Sequence, residues 1–342
     1  MKAIRIHEHG GVDKLMYEDV GSPKIVPDEV LVNVKAASVN HLDLWVRQGL
    51  PNVKYPLPII LGCDAAGVVA EVGSSVRDIK VGDRVAISPG ISCGVCEQCL
   101  SGRDNFCREY TLLGEHRDGV DAEYVSLPAR NLIPIPENLS FEEAATIPLV
   151  FLTAWQMLVE KAKVQPGEDV LILSAGSGVG SAGIQIAKLL GARVIATASS
   201  EEKLAKAKSL GADEVINYMT MDVLSEVRRL TDKKGVEVVF EHTGSETWRQ
   251  SILSLAKGGR LVTCGATTGY EAITDLRYIF YKQLQILGST MGSKGSLFKV
   301  FRLVESGKLK PVIDRVMPMK DVADAHRLLE ERKVFGKIVL AF

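Results

Sequence analysis

Four cysteines, Cys93, Cys96, Cys99 and Cys107, fall within fifteen residues in the pattern C-x2-C-x2-C-x7-C. The loop around them is rich in glycine, serine and charge. Thiolates are soft metal ligands, and a C-x2-C pair spans one edge of the tetrahedron that a d¹⁰ zinc ion adopts. Four such ligands leave no open coordination position. The spacing therefore predicts one structural zinc per chain, in a lobe at about residues 90–110. Metal at such a site contributes on the order of 10 kcal/mol to local folding. An iron–sulfur cluster is the weaker alternative, because the spacing departs from the common ferredoxin runs.

A second chemical signal lies in residues 169–198, DVLILSAGSGVGSAGIQIAKLLGARVIATA. Residues 169–174 form a short apolar run that reads as a buried parallel strand. The small residues that follow let the backbone turn sharply and approach a ligand closely. Val179, Gly183, Ile186 and Leu190 then mark one face of a helix, and residues 192–198 a second strand. Free N–H groups and the dipole at such a helix start attract phosphate. Ser177, Gly178, Val179 and Gly180 are the candidate phosphate-binding residues of a dinucleotide site. The six residues from Ala175 to Gly180 carry Ala and Ser where the usual G-x-G-x-x-G has its first and second glycines.

The elements that must position these groups have two textures. Residues 1 to about 130 read as short strands, at 2–7, 29–37, 67–72, 84–87 and 122–127, separated by Gly- and Pro-rich turns. They predict an irregular, mostly antiparallel, barrel-like domain. From residue 141 the pattern changes. Ser140 reads as a helix N-cap with Glu143 as its capping-box partner, and a long apolar stretch covers 144–159. Helices at 201–210, 221–231 and 246–256 alternate with strands at 214–217, 236–242, 260–264 and 284–288. That alternation predicts a doubly wound parallel sheet. The tail predicts helices at 296–306 and 321–332 and strands at 314–318 and 336–341.

The chain has 342 residues, 46% of them hydrophobic, enough for one large core or two. Its formal net charge of −1 gives no sign of a nucleic-acid or anionic-membrane partner. The start, MKAIRIHEHGG, has no apolar core behind a basic region, and no run approaches a membrane span. These features predict a cytoplasmic protein with a small-molecule substrate.

Taken together, the motifs resemble the medium-chain dehydrogenase/reductase superfamily, which includes zinc alcohol dehydrogenases and quinone reductases. The resemblance rests on Gly62-Cys63-Asp64-Ala65-Ala66-Gly67, the turn Gly82-Asp83-Arg84-Val85, the cysteine lobe, residues 174–190 and the ending Gly336-Lys337-Ile338-Val339. It implies an α/β chain with a GroES-like, mostly-β catalytic domain at 1–148 and 291–342. A Rossmann nicotinamide-nucleotide domain at 149–290 is inserted between those parts. It also implies a homodimer or homotetramer.

In that family a catalytic zinc is held by a Cys, a His and a second Cys. The matching positions here are Asn40, Cys63 and about Leu149. Asn is a poor zinc ligand and Leu is none. Asn at the first position is what quinone-reductase-like members carry, so the resemblance implies catalytic roles for Asn40, Asp43, Asp64 and Thr153. His41 and His116 are the histidines that could assist a metal or carry a proton; for His116 a surface or hydrogen-bonding role is the plainer expectation.

The strand at 192–198 ends in Ala-Ser-Ser without the acid that usually binds an NAD ribose. Ser199 and Lys203 follow at a spacing suited to a 2′-phosphate, and the resemblance adds Tyr218. NADPH is therefore the expected cofactor, with NADH as an alternative. Thr243, Gly265, Ala266, Ser289 and Lys337 complete the implied cofactor-binding set. Without a catalytic metal to polarise a simple carbonyl, hydride transfer favours quinones, enones and other activated C=C bonds. The two alternatives are a zinc alcohol dehydrogenase with unorthodox ligands and a non-catalytic NADPH-binding protein.

Overall fold

The computed structural model describes all residues, Met1–Phe342, as two compact units. One comprises residues 1–149 and 292–342, the other residues 150–291.

The first unit is built on a seven-stranded sheet. Its long central strand, Glu29–Ser38, is flanked on one edge by Asp64–Val72. On the other edge Tyr124–Pro128 covers its first half and Lys337–Ala341 its end. All of these pairings are antiparallel; the outer strand Ile313–Pro318 pairs parallel with Lys337–Ala341. The path runs open from Leu132–Pro134 to Ile313–Pro318. A three-stranded antiparallel sheet, Met16–Asp19, Lys2–Ile6 and Ile59–Ile60, and a small ribbon, Gly90–Ile91 with Thr111–Leu112, complete the β structure. Alternation drives the central strand: Val30, Val32 and Val34 are buried while the residues between them are less so. They pack with Val69, Val85, Ile87, Leu127 and Leu340.

The second unit is a six-stranded, all-parallel sheet. Its spatial order is Glu214–Asn217, Arg193–Ala198, Asp169–Ile172, Val236–Glu241, Leu255–Thr263 and Gln285–Gly288. Strand order therefore reverses between Asp169–Ile172 and Val236–Glu241, the doubly wound arrangement that leaves a crevice at the carboxyl ends of those two strands. The helices Gly178–Leu189, Glu201–Ser209, Val223–Leu230, Ser245–Ser254 and Leu276–Lys282 lie between successive strands.

The GroES-like and Rossmann-like expectations are met, with local differences. The helix His41–Gln48 is absent from the sequence reading, as are the short strands Met16–Asp19, Ile59–Ile60 and Leu132–Pro134. The strand expected at 67–72 begins at Asp64, a polar residue that is fully buried. The apolar stretch 144–159 is not one helix. Phe141–Ala145 ends before Pro148, Pro148–Trp155 follows, and Gln156–Lys161 is a π-helix. Pro148 has no N–H for the preceding turn, so it starts a new helix. The Ser140–Glu143 capping box forms as expected, at 3.1 and 2.9 Å. No helix is long and apolar enough to cross a membrane.

Candidate functional site

Three groups of residues carry chemistry. The four cysteine Sγ atoms lie within 4.8 Å of one another. Individual separations are 3.5 Å for Cys96–Cys99, 3.6 Å for Cys93–Cys107 and 3.8 Å for Cys93–Cys99. Zinc–sulfur bonds of about 2.3 Å in a tetrahedron place sulfurs roughly 3.8 Å apart, so these residues fit a zinc ion. The short helix Glu97–Leu100 and the 3₁₀ turn Asp104–Phe106 present three of the thiols. Asp104 ties the lobe down: it accepts the backbone N–H of Lys294 at 3.0 Å and pairs with Lys294 Nζ at 3.0 Å.

The second group lies at the carboxyl ends of the parallel strands. Ser177 caps the helix Gly178–Leu189, accepting the Gly180 N–H at 2.9 Å. That leaves the other first-turn N–H groups for an anion. A Cβ on Gly180 would lie 2.5 Å from Ser174 O, so the turn closes only around glycine there. At the point of strand reversal Ser174 Oγ lies 3.5 Å from Thr243 Oγ1. Beside them His242 Nε2 is 2.9 Å from Leu173 O. A carbonyl only accepts, so Nε2 carries the proton. Burial pushes His242 below the usual histidine range, which keeps the ring neutral.

Beneath this crevice the buried Glu241 carboxylate accepts from Thr243 N, Gly244 N, Thr247 Oγ1 and Ser251 Oγ at 2.6–3.1 Å. It fixes the loop after its strand. Ser289 follows the last strand of the sheet, and its buried Oγ has no partner within the protein. An orphaned hydroxyl at that end of a parallel sheet, with the glycine-lined helix start, fits a bound nicotinamide nucleotide.

Of the nucleotide-selecting residues, Ser199 follows the strand Arg193–Ala198, and Lys203 sits in the first turn of the helix Glu201–Ser209, which Ser200 caps. Tyr218 packs against the sheet core and donates its N–H to Ala198 O at 3.1 Å. Gly265 and Ala266 follow the strand Leu255–Thr263, and Thr263 Oγ1 donates to Gly265 O at 3.2 Å. Thr153 is buried in Pro148–Trp155.

The third group is a buried polar cluster in the first unit. Strand pairing brings Ser38 beside both Asp64 and Val339. Asn40, Asp64 and Lys337 therefore meet at the ends of three adjacent strands. Asn40 Nδ2 donates to Asp64 Oδ2 at 3.0 Å, to Ser38 O at 3.1 Å and to Cys63 Sγ at 3.4 Å. Asp64 Oδ1 accepts the Leu149 N–H at 2.8 Å. Asp43 Oδ2 accepts the Asn40 N–H at 2.7 Å, fixing the start of the helix His41–Gln48.

Burial pushes Asp43 up to about 7, and raises Asp64 against the pull of Lys337 and its other donors. The Cys63 thiol and Asp121 are driven well above their usual ranges, again chiefly by burial. Lys337 is the one expected cofactor residue that this geometry sets apart. It is 4% exposed, and its Nζ is turned to Val39 O, Asn40 Oδ1 and Asp64 Oδ2.

Sequence reasoning missed Asp121, Glu241, His242 and Ser174. The last two had a signal, since both directly follow or end strands at the crevice. Asp121 had none. His116 is exposed, with Nδ1 accepting from Leu112 N at 3.3 Å, and His41 opens the helix that follows Asn40.

Comparisons with known proteins identify the family of the chain. Residues 26–137 match the family model described as alcohol dehydrogenase GroES-like domain, and residues 178–306 match zinc-binding dehydrogenase. The chain is 35% identical to an NAD-dependent alcohol dehydrogenase of Saccharolobus solfataricus over 99% of both chains. It is 32% identical to an acryloyl-coenzyme A reductase of Sulfurisphaera tokodaii, again over 99% of each. A solved structure of an NAD-dependent alcohol dehydrogenase superposes over the full length of both chains, with a TM-score of 0.96 and 56% identity.

Proposed function

The chain belongs to the zinc-containing medium-chain dehydrogenase/reductase superfamily and is a nicotinamide-dependent oxidoreductase, and from that premise we propose that it reduces activated C=C bonds or conjugated carbonyls with no metal at the reacting oxygen. The observation that carries this reading is the donor set around Asp64. Asn40 turns N–H groups, not a lone pair, toward Cys63 and Asp64, and Leu149 contributes only its backbone N–H. Zinc takes thiolate, imidazole or carboxylate, so these residues do not fit a catalytic zinc. The cysteine lobe fits a structural one.

A bound nicotinamide nucleotide supplies the hydride. The helix start at Ser177–Gly180 would hold its phosphates, and Thr243, Gly265, Ala266 and Ser289, at or just beyond the strand ends, would contact the remainder. With no Lewis acid, an acceptor that spreads charge over a conjugated system has the lower barrier. Asp43 holds the Asn40 backbone N–H and Asp64 accepts from its side-chain amide, so residue 40 is fixed in place at the position where the zinc enzymes carry a metal ligand.

For the nucleotide, the absence of an acid at Ala198–Ser200 and the position of Ser199 and Lys203 support NADPH. Glu201, the nearest acid, accepts from Asn217 Nδ2 at 2.8 Å. Two charge-assisted bonds to a 2′-phosphate, roughly 1.5–3 kcal/mol each, favour NADPH over NADH by about 10²–10⁴-fold.

The second reading is an alcohol dehydrogenase. The names of the relatives favour it over the first: alcohol dehydrogenases predominate among them, and several are called NAD-dependent. The acryloyl-coenzyme A reductase, whose named substrate is an activated alkene, favours the first. A panel of enones, quinones, acrylyl thioesters, aldehydes and alcohols, each run with NADPH and NADH, separates them. Reduction of the conjugated acceptors is expected. Alcohol oxidation and aldehyde reduction without enone, quinone or thioester turnover would replace the first reading with the second.

A further inference from the structure

Asp43, Asp64 and Asp121 are buried carboxyls, and all three act on the Cys63 thiol. Their partners differ. Asp64 accepts from Asn40 Nδ2 and the Leu149 N–H and faces Lys337 Nζ at 3.3 Å. Asp43 accepts the Asn40 N–H. Asp121 is 2% exposed, and its carboxyl accepts from nothing. Its backbone N–H and C=O are spent on Leu61 O and the Ile4 N–H.

Few charges face Asp121. Asp43 comes from the helix His41–Gln48, Asp64 from the head of the strand Asp64–Val72 and Lys337 from the last strand. Lys337 is the one cation among them, and it already lies against Asp64 and Asn40. Three carboxylates about one ammonium would leave two negative charges uncompensated and out of reach of water. A buried carboxylate with neither donor nor counter-charge is not held in such a place, whereas a neutral acid is. Asp121 is the group without a donor, so Asp121 carries a proton. Burial, which pushes its carboxyl well above the ordinary range, acts in the same direction.

Asp121 Oδ1 fills the place that a side chain at Gly62 would take. Cys63 is next in the chain, 3.4 Å from Asn40 Nδ2 at the reacting centre. Hydride transfer to a conjugated or simple carbonyl builds negative charge on the acceptor oxygen. A carboxylate so near opposes that charge, and a carboxylic acid does not.

We propose that Asp121 sets the alkaline limit of the reduction: while it holds its proton the centre at residues 40 and 63 tolerates the charge built by hydride transfer, and its ionisation slows that step. Asp121 acts through its charge and needs no contact with the acceptor. The proposal rests on the reading of residues 40 and 63 as the reacting centre of a metal-free reductase, and it names the group that ends activity at high pH.

The test is the rate of hydride transfer in a single turnover, from pH 6 to pH 9, in the full-length wild type and Asp121→Asn. Asn keeps the shape of Asp and cannot ionise. The acceptor is whichever one the wild type reduces, enone or aldehyde, since charge builds on oxygen in both; a failure of the substrate reading leaves this test intact. Asp43 is present in both proteins, so the comparison isolates Asp121. The ratio of the rate at pH 9 to that at pH 6 should be about tenfold higher in the variant, the scale for one unit charge across a low-dielectric site. In the infrared, the wild type should show a protonated-carboxyl band at pH 6 that the variant lacks, and the loss of that band with pH should track the fall in rate.

Equal ratios in the two proteins would overturn the proposal. So would a band that persists while the rate falls. A variant slowed by one factor at every pH would also overturn it, and would make Asp121 a packing group at Gly62. If Asp121→Asn does not fold, Asp121→Ala, smaller and equally unable to ionise, must show the raised ratio.

Discussion

Asp121 packs against Gly62 so closely that a Cβ on Gly62 would lie 2.2 Å from Asp121 Oδ1. Gly62 holds φ +86°, and the contact leaves no room for a side chain or a hydration shell. The consequence is electrostatic. Asp121 is 2% exposed, and burial, with Asp43 and Asp64 nearby, drives its carboxyl well above the ordinary range.

Stability should therefore fall with rising pH through this cluster. The unfolded chain releases these protons near pH 4, while the folded chain keeps them to higher pH, Asp43 up to about 7 and Asp121 well above its ordinary range. Between those values the folded state binds more protons, so each such group lowers stability by about 1.4 kcal/mol per pH unit. Asp121→Asn is neutral at every pH and should lose its share of the slope. Urea unfolding at pH 5 and pH 8 should show the variant gaining on wild type at the higher pH. An equal difference at both values would show that Asp121 is ionised in the fold.

The cysteine lobe should couple to a helix remote in sequence. Cys96→Ser is expected to remove the zinc and loosen the lobe. Asp104 in that lobe holds the start of the helix Lys294–Glu305, so hydrogen exchange should rise at residues 294–297 as well as at 93–107. Exchange that rises only in the lobe would show that the Asp104–Lys294 contacts do not transmit the change.

Lys203→Ala should raise the KM for NADPH about tenfold or more and leave that for NADH nearly unchanged, because only the former has a 2′-phosphate. Equal effects on the two nucleotides would place Lys203 away from that group.

Gly180→Ala should weaken nucleotide binding at least tenfold by calorimetry. Its Cβ would meet Ser174 O at 2.5 Å and Ser177 Oγ at 2.8 Å, forcing open the turn that presents the helix start. Gly183→Ala, whose nearest neighbour is Phe240 Cζ at 3.2 Å, serves as the comparison on the same helix, facing the sheet core. Equal losses from both would mean that the defect is general to the helix.

What was legible in the sequence was local. Cysteine spacing encodes the metal lobe because its ligands are neighbours in the chain. The alternation of strands and helices encodes the parallel sheet because each strand carries its own buried run. The cluster around Asp64 was only half legible. Asn40 and Asp43 stand three apart, the spacing of a capping box, yet the helix after them is eight residues with a broken apolar face. Lys337 comes to Asn40 from 297 residues away, through strand pairing that no local pattern records. Polarity also misleads at Asp64, which reads as a loop residue until its partners are in place.

Residue 40 belongs to two structures at once. Its backbone opens a helix through Asp43, and its side chain answers a lysine from the far end of the chain. Exchanging Asn40 alone for a thiol ligand would set a thiolate beside an ammonium already committed to Asp64. Removing the lysine alone would leave Asp64 buried without its counter-charge. The two ends of the chain meet at this point in one set of hydrogen bonds.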